Sequence, residues 1–440
     1  MKNLPIVSFA LFLLLSHSIC AQDQNQPSIQ ELQSQIEILR TTELIQSMSQ
    51  RSEIMPSYHH DLKALIARQA YNFWIQNKGE KYVSHKNVYA ALYYANKYLE
   101  YDSLNFESYN QVMAHNEAVV SLKFGKDPKV FYSAGSDGKV LKWNLDDIKG
   151  IPTLLYQGDH LIRSIDVSFD DQMIMITTKN QGLIFVSTSE RINMGEITPV
   201  ISRDNEEVQS AVFFPNEYKY LAVNKQGEIR IKAFNTDSVY RRKNKQQVNT
   251  VLVQEDNQNI YLGGKSGKLE IITDKLDSAY LIPELFAINA LAISSDKKLL
   301  AVGREKGDAI IIDLTTHQIV RTISGHQSAV TDVDFNQNDQ LLLTASRDGT
   351  TRIWDINNSR IMPLILDDHE DWVFTAKFTP TGDKVVTGSK DKNIRVWTID
   401  YQQLADRICR LVDRNLTLEE WNEYIGDSFP YEETCPVQEY

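Results

Sequence analysis

His326, Thr344 and Asp348 fall in one short window, spread over "SGHQSAV" (324–330) and "LTASRDGTTRIWD" (343–355). An imidazole, a hydroxyl and a carboxylate are the working parts of a nucleophilic hydrolase: a base that takes the hydroxyl proton and an acid that orients the base. Two further copies change that reading. His369, Thr387 and Asp391 repeat the spacing, as do His115, Ser133 and Asp137. Each set adds a tryptophan six residues after the aspartate, at Trp354, Trp397 and Trp143 respectively. An enzyme has little use for three copies of one triad. A buried hydrogen-bond chain, in which each polar group satisfies the next, requires those residue types at fixed spacing in every repeat. The sets are therefore expected to be structural, and no catalytic residue is assigned.

The elements that position these sets follow the same period. After residue 106, short β-branched runs are separated by turn pairs that begin at Asp137, Gln181, Gln226, Ser266, Lys306, Asp348 and Asp391, 40 to 45 residues apart. Seven units of that length correspond to four-stranded propeller blades. Units 1, 6 and 7 hold the complete set. Units 2 to 5 place Ser187, Lys232, Ile272 and Ile312 at the tryptophan position, so packing is expected to hold them. The last unit ends at "NIRVW" (393–397) with no fourth strand, while residues 109–113 precede the first unit without a blade of their own. Placing 109–113 as the outer strand of the last blade closes the ring and removes its open edge.

The units "GHQSAVTDVDFNQNDQLLLTASRDGTTRIWD" and "DHEDWVFTAKFTPTGDKVVTGSKDKNIRVW" resemble WD repeats, with the Gly-His start, the turn aspartate and the Trp-Asp end. The resemblance implies a mainly β fold, a seven-bladed WD-repeat β-propeller. It also implies that the four residues form a tetrad tying the loop before a blade to its inner strands. Residues 404–436, "LADRICRLVDRNLTLEEWNEYIGDSFPYEETCP", are similar to the helical cap that ends many bacterial WD-repeat chains, including those fused to STAND-type signalling NTPases. The NTPase itself is not expected: "GGKSGKLE" (263–270) contains Gly-Lys-Ser, but Asn259 stands where a phosphate-cradling loop needs glycine.

Residues 27–105 are nearly free of Gly and Pro and read as helical. Ile29, Leu32, Ile36 and Leu39 place an apolar stripe on a first helix to about residue 50. The stripe is expected to dock on its own domain, with self-association through 27–50 as the alternative. Helices follow at 60–77 and 84–100, the latter capped by Ser84. Near the other end, Thr417 and Glu420 form a capping box for a helix whose Trp421 is expected to pack on the propeller. Residues 1–21 hold one charge, Lys2, then an apolar run at 6–15 and the polar "SHSICAQ". That is the pattern of a secretory signal peptide, too short to span a bilayer. Lipidation of Cys20 is the rival reading. The expected organisation is a signal peptide at 1–21, a helical region at 22–105, the propeller at 106–400 and a helical cap at 401–440. Export leaves Cys409 and Cys435 as a disulfide pair, closing a loop of about 27 residues and contributing about 3–4 kcal/mol.

A formal charge of −12 over 440 residues argues against a general nucleic-acid binder, because phosphate affinity rests on clustered Lys and Arg. The basic run "RRKNK" (241–245) is expected as a solvated loop. With no metal-binding or cofactor motif present, neither a metal nor a cofactor is assigned. A propeller without catalytic groups is a rigid platform whose loops bind protein partners. Three residues after each tetrad histidine, or at the equivalent place, stand Ala118, Arg163, Glu207, Gln247, Ala287, Ala329 and Trp372. These are expected at the mouth of the central channel. Trp372 is the leading partner-binding candidate, with folding over the neighbouring blade as its bland alternative; Arg163 and Glu207 follow. The expected function is a non-enzymatic scaffold, periplasmic or extracellular and associated with the cell envelope. The alternative is a ligand-binding sensor or hydrolase-type propeller with its site at the channel mouth.

Overall fold

Seven antiparallel sheets of four strands form, one around each of the seven turns. The computed structural model describes residues 28–77, 85–99, 110–113, 115–188, 200–204, 206–234, 239–243, 247–254, 259–273, 275–276, 278–282, 286–359 and 361–435. The expected signal peptide with Cys20, and the expected cap Ser84, lie outside the described residues. The chain divides into two units, Leu92–Asp413 and the remainder, Met1–Ala91 with Arg414–Tyr440.

In the larger unit, blade 1 consists of Val119–Phe124, Val130–Gly135, Lys139–Asn144 and Thr153–Gln157. Blade 7 consists of Val373–Phe378, Lys384–Ser389 and Asn393–Thr398, and Gln111–Met113 supplies its outer strand. Gln111 lies opposite Arg395 and Val112 opposite Ile394, so the two ends of the propeller share one sheet. Asn110 secures the join: its Oδ1 accepts from Arg395 Nη1 at 2.9 Å and its carbonyl accepts the Val396 N–H at 2.9 Å. The turn geometry follows the sequence. Gly349 adopts φ +83° in the sixth blade, a conformation glycine takes at little cost, and Lys392 accepts φ +75° at the same place in the seventh.

Apolar residues that alternate along the strands are buried between adjacent blades. Tyr132 and Leu155 of blade 1 meet Ile162 and Ile174 of blade 2. Leu221 and Ile229 of blade 3 meet Val251 and Leu262 of blade 4, and Val386 and Ile394 of blade 7 meet Val119 and Phe131 of blade 1. Each such side chain contributes about 1.5–3 kcal/mol when fully buried, which is how blades lacking a tetrad hold together. The basic run departs from its expected loop. Val239–Lys243 forms the outer strand of blade 3, where Arg241 pairs with Glu206 at 2.6 Å and with Glu228 at 3.0 Å, and Arg242 pairs with Glu270 at 2.6 Å. Of these acidic partners Glu228 stands on the adjacent strand, Glu206 in the loop before the blade and Glu270 in blade 4, so the basic run is neutralised from three directions.

Helices α1 (Ile29–Ile54), α2 (His60–Gln76) and α3 (His85–Leu99) precede the propeller, and α4 (Tyr401–Leu411) and α5 (Leu418–Tyr424) follow it. The capping box at α5 is present, with Thr417 Oγ1 accepting the Glu420 N–H and Glu420 accepting the Thr417 N–H. The apolar stripe on α1 is covered only in part: Ile29 is 75% and Leu39 47% exposed, whereas Leu32 and Ile36 are half-buried. The helix instead buries Thr41, Ile45, Met48, Ser49 and Ser52. Its contact with α2 is made at the far end, where Ser52 Oγ donates to the Lys63 carbonyl at 2.9 Å and Lys63 Nζ reaches the carbonyls of Glu53 and Met55. Trp421 also departs from expectation. It lies against Phe73 and Tyr431, with ring centroids 6.1 and 5.2 Å away, and donates Nε1–H to the Phe429 carbonyl at 3.0 Å. Cys409 and Cys435 are disulfide-bonded. Among the described residues no helix is long and apolar enough to cross a membrane.

Candidate functional site

The fold brings each tetrad together across one hairpin and the loop before it. In blade 6, His326 Nδ1 lies 2.8 Å from Asp348 Oδ2, His326 Nε2 lies 2.8 Å from Thr344 Oγ1, and Trp354 Nε1–H donates to the same hydroxyl at 2.9 Å. An ionised carboxylate only accepts, so Nδ1 carries the ring proton and Nε2 accepts from the hydroxyl. The chain runs from indole through hydroxyl and imidazole to carboxylate. Blade 7 repeats it through Trp397, Thr387, His369 and Asp391 at 2.9, 2.7 and 2.7 Å. Blade 1 repeats it through Trp143, Ser133, His115 and Asp137 at 2.9, 2.8 and 3.0 Å.

Each carboxylate also accepts a backbone N–H from the loop that follows the histidine: Asn116, Gln327 or Glu370. Burial acts to raise these carboxyl groups, but the hydrogen bonds from the histidine and from the backbone outweigh it. Asp391 is held down to about 2, and Asp348 and Asp137 are also lowered. Burial pushes the His369 imidazole down in spite of Asp391. The three hydroxyls, of Ser133, Thr344 and Thr387, are at most 1% exposed. No substrate carbonyl can reach them, so the groups that resemble a triad are placed to brace the blade.

The remaining candidates stand at the central channel. Val119 pairs with Gly135, Ile162 with Thr178 and Val373 with Ser389. That register aligns Leu161, and not Arg163, with Ala118 and Trp372, which corrects the expected ring by two residues in blade 2. Unit 2 has no complete tetrad from which to count, and the strand register alone fixes the position. Arg163 instead occupies a β-bulge, where the ladder shifts between Ile162 and Ser164. The same irregularity falls at Val120, Asn249, Asn289, Thr331 and Phe374. A bulge re-aims one side chain out of the strand's alternation. Here these residues, with Gln209, line a central cavity of about 520 Å³. Sequence reading missed this inner ring, although a repeated Val/Ile-x-small-or-polar triplet marks it at 119–121, 162–164, 208–210, 248–250, 288–290, 330–332 and 373–375.

Three of the ring side chains stitch one blade to the next. Asn249 Nδ2 donates to the Ile288 carbonyl at 3.1 Å, Asn289 Nδ2 to the Val330 carbonyl at 3.1 Å, and Thr331 Oγ1 to the Val373 carbonyl at 2.6 Å. At the rim, Trp372 is 41% exposed. Arg347 of blade 6 lies 5.3 Å and Lys390 of blade 7 lies 4.8 Å from its ring centre, an arrangement in which the aromatic face attracts both cations. The indole therefore reaches the neighbouring blade and still presents surface to solvent. Glu207 pairs with Lys225 at 2.8 Å. Among the described residues no cluster of three or more His, Cys, Asp or Glu could hold a metal ion.

The family described as "WD domain, G-beta repeat" matches residues 107–144, 317–355 and 362–398, the segments that hold the three tetrads. The chain is 34% identical over 84 residues to Pre-mRNA-processing factor 19 of Mus musculus, covering 19% of this chain and 16% of that protein. It is 37% identical over 75 residues to Target of rapamycin complex subunit LST8 of Saccharomyces cerevisiae, covering 17% and 25%. It is 34% identical over 82 residues to WD repeat and SOCS box-containing protein 1 of Homo sapiens, covering 18% and 20%. The matched segments thus span no more than a quarter of these relatives' length. Sheet topology and tetrad geometry together identify the chain as a seven-bladed β-propeller, and its first, sixth and seventh blades match the WD40 family.

Proposed function

We propose that the protein is a non-enzymatic interaction scaffold that binds a protein partner at the channel mouth around Trp372. One observation carries this reading: an exposed indole held in place by cations from two blades. A pre-positioned aromatic loses little conformational freedom on binding, and such residues dominate interface energetics. The match to WD repeats, whose propellers are protein-interaction platforms, supports it, as does similarity to a protein named a complex subunit. The shut-in tetrad hydroxyls favour a scaffold over a hydrolase.

The proposed place of action is the periplasm or cell exterior, associated with the envelope. The apolar segment at 6–15 supports export. The Cys409–Cys435 disulfide supports an oxidising compartment. The test is cross-linking in intact cells followed by purification of the full-length protein, comparing wild type with Trp372→Ala. Loss of a defined partner from a folded variant is the expected result. An unchanged partner set and yield rejects the site, and recovery of the protein from the cytosolic fraction with residues 1–21 attached rejects export.

A further inference from the structure

We infer that the channel mouth is a carboxylate receptor, in which Arg163 and Gln209 hold an acidic side chain of the protein partner. The inference rests on the scaffold reading and names the chemistry of its partner.

The seven side chains of the inner ring fall into three sectors. Asn249, Asn289 and Thr331, on blades 4, 5 and 6, spend their donors on carbonyls of the next blade. Phe374 and Val120, on blades 7 and 1, form an apolar wall. Blades 2 and 3 contribute Arg163 and Gln209, whose side chains have no hydrogen-bond partner among the described residues. The other charged residues of the lining pair with each other, Lys123 with Asp166 at 3.0 Å and Lys377 with Asp332 at 2.9 Å, so among the described side chains of the ring Arg163 and Gln209 are the polar ones with uncommitted donors.

Arg163 is the sharper of the two. Its Nε is buried without an acceptor, while its terminal nitrogens are not among the buried atoms and are the donors that a ligand can reach. Three other rim cations are paired: Arg347 with Glu305 at 2.9 Å, Lys390 with Asp371 at 3.0 Å and Lys225 with Glu207 at 2.8 Å. Arg163 makes no close ion pair among the described residues, and its nearest acidic neighbour, Glu207, is already held by Lys225. A guanidinium is planar and forks its N–H groups to fit both oxygens of a carboxylate, and the Gln209 amide on the adjacent blade adds a neutral donor. The cavity of about 520 Å³ admits a side chain from a segment lying across the mouth. Glu207, at the blade 3 rim position, adds a negative charge that opposes a doubly charged phosphate more than a singly charged carboxylate. On blade 7, separated from the open sector by blade 1, Trp372 and Phe374 pack edge to face with centroids 6.1 Å apart, an apolar anchor that a peptide can use and a free small acid cannot.

The test titrates full-length protein with blocked hexapeptides bearing a central Glu or Asp, with their Gln and Asn counterparts, and with acetate and inorganic phosphate. Acidic peptides are expected to bind and their amide counterparts to bind at least about tenfold more weakly, the loss of a charge-assisted hydrogen bond. Arg163→Gln should remove about tenfold or more of the affinity and Arg163→Lys less, because lysine keeps the charge without the fork. Gln209→Leu should weaken binding by a smaller factor. Thermal unfolding of Arg163→Gln should match wild type, since no internal bond is lost. Equal binding of Glu and Gln peptides, equal binding of acidic peptides to wild type and Arg163→Gln, or absence of peptide binding overturns the inference. So does displacement of the peptide by phosphate at matching concentration. If Trp372→Ala loses the cross-linked partner while Arg163→Gln retains it in full, the carboxylate assignment falls and the scaffold reading stands. If both variants retain it, this face is not the platform and both readings fall.

Discussion

The ring of Tyr93 stacks on Trp397, with centroids 5.5 Å apart and planes 28° from parallel, and its hydroxyl donates to Asp368. Trp397 is the same indole that donates to Thr387 in the blade 7 tetrad. Asp368 is also met by Lys97 Nζ at 2.9 Å, and Asn96 Nδ2 donates to the Leu404 carbonyl of α4 at 2.9 Å. The last turns of α3 therefore cover the brace of the blade that closes the ring. That blade is closed by an outer strand of three residues that comes from the other end of the propeller.

Removing this cover should be costly. Tyr93→Ala is expected to lower stability by about 3 kcal/mol through lost aromatic burial. Tyr93→Phe should cost about 1 kcal/mol, because the stack survives and Lys97 still faces Asp368. Urea unfolding of the full chain measures both, and equal losses from the two variants would show that stacking contributes nothing beyond the hydroxyl.

Asp348→Ala should lower stability by about 1–3 kcal/mol, the cost of stranding the His326 ring N–H and the Gln327 amide. Partner binding should fall only as far as the folded fraction falls. A larger loss of binding in protein that remains fully folded by circular dichroism would return the window to the list of functional sites.

The tetrads make the fold acid-sensitive. A carboxylate with a depressed folded pKa contributes stability that is present above its unfolded value near 4 and lost as pH falls through the folded value, which is about 2 for Asp391. His369, held neutral by burial, acts in the same direction from a higher starting point: its contribution is full above its unfolded value near 6.5 and declines below it. The melting temperature should therefore fall from pH 7 to pH 5 and again from pH 4 to pH 2. The stability difference between wild type and His369→Gln should shrink over the first interval. A difference that grows there would contradict a neutral buried imidazole.

Blade 5 lacks a tetrad but holds a buried ion pair at its turn, with Arg304 Nε 2.7 Å from Asp308 Oδ1 and Arg304 Nη2 2.5 Å from Asp308 Oδ2. Asp308→Ala should cost about 3–5 kcal/mol by removing the carboxylate that faces a buried cation, whereas the double replacement Arg304→Met with Asp308→Leu should cost much less. A double-mutant cycle reads the coupling directly. Additive losses would mean that the pair does not act as a unit.

Much of this architecture is legible along the chain. The tetrad residues recur at constant offsets because the turn aspartate, the hydroxyl on the second strand and the indole on the third are fixed within one hairpin. Closure by residues 109–113 follows from a blade that lacks a strand, and Gln111–Met113 occupies that place. What was missed shares one cause, dependence on neighbours distant in sequence. Arg163 was misplaced because a bulge and an absent tetrad left no local marker of register. Trp421 found its partners in Phe73 and Tyr431, and the stripe on α1 leaves Ile29 and Leu39 exposed while the residues that the helix buries lie at its other end.

The sequence by itself determined seven blades, three internal braces and the strand that closes the ring, because alternation of apolar residues and turn chemistry set register within each hairpin. Only the tertiary structure decided which side chains meet. Tyr93 reaches Asp368 across 275 positions, and Arg163 and Gln209 share one cavity although each sits in a different sheet. Those meetings depend on how successive twisted sheets accumulate around a common axis, and on a bulge in the inner strand of six of the sheets turning a side chain inward, which no window of the length of a single blade encodes.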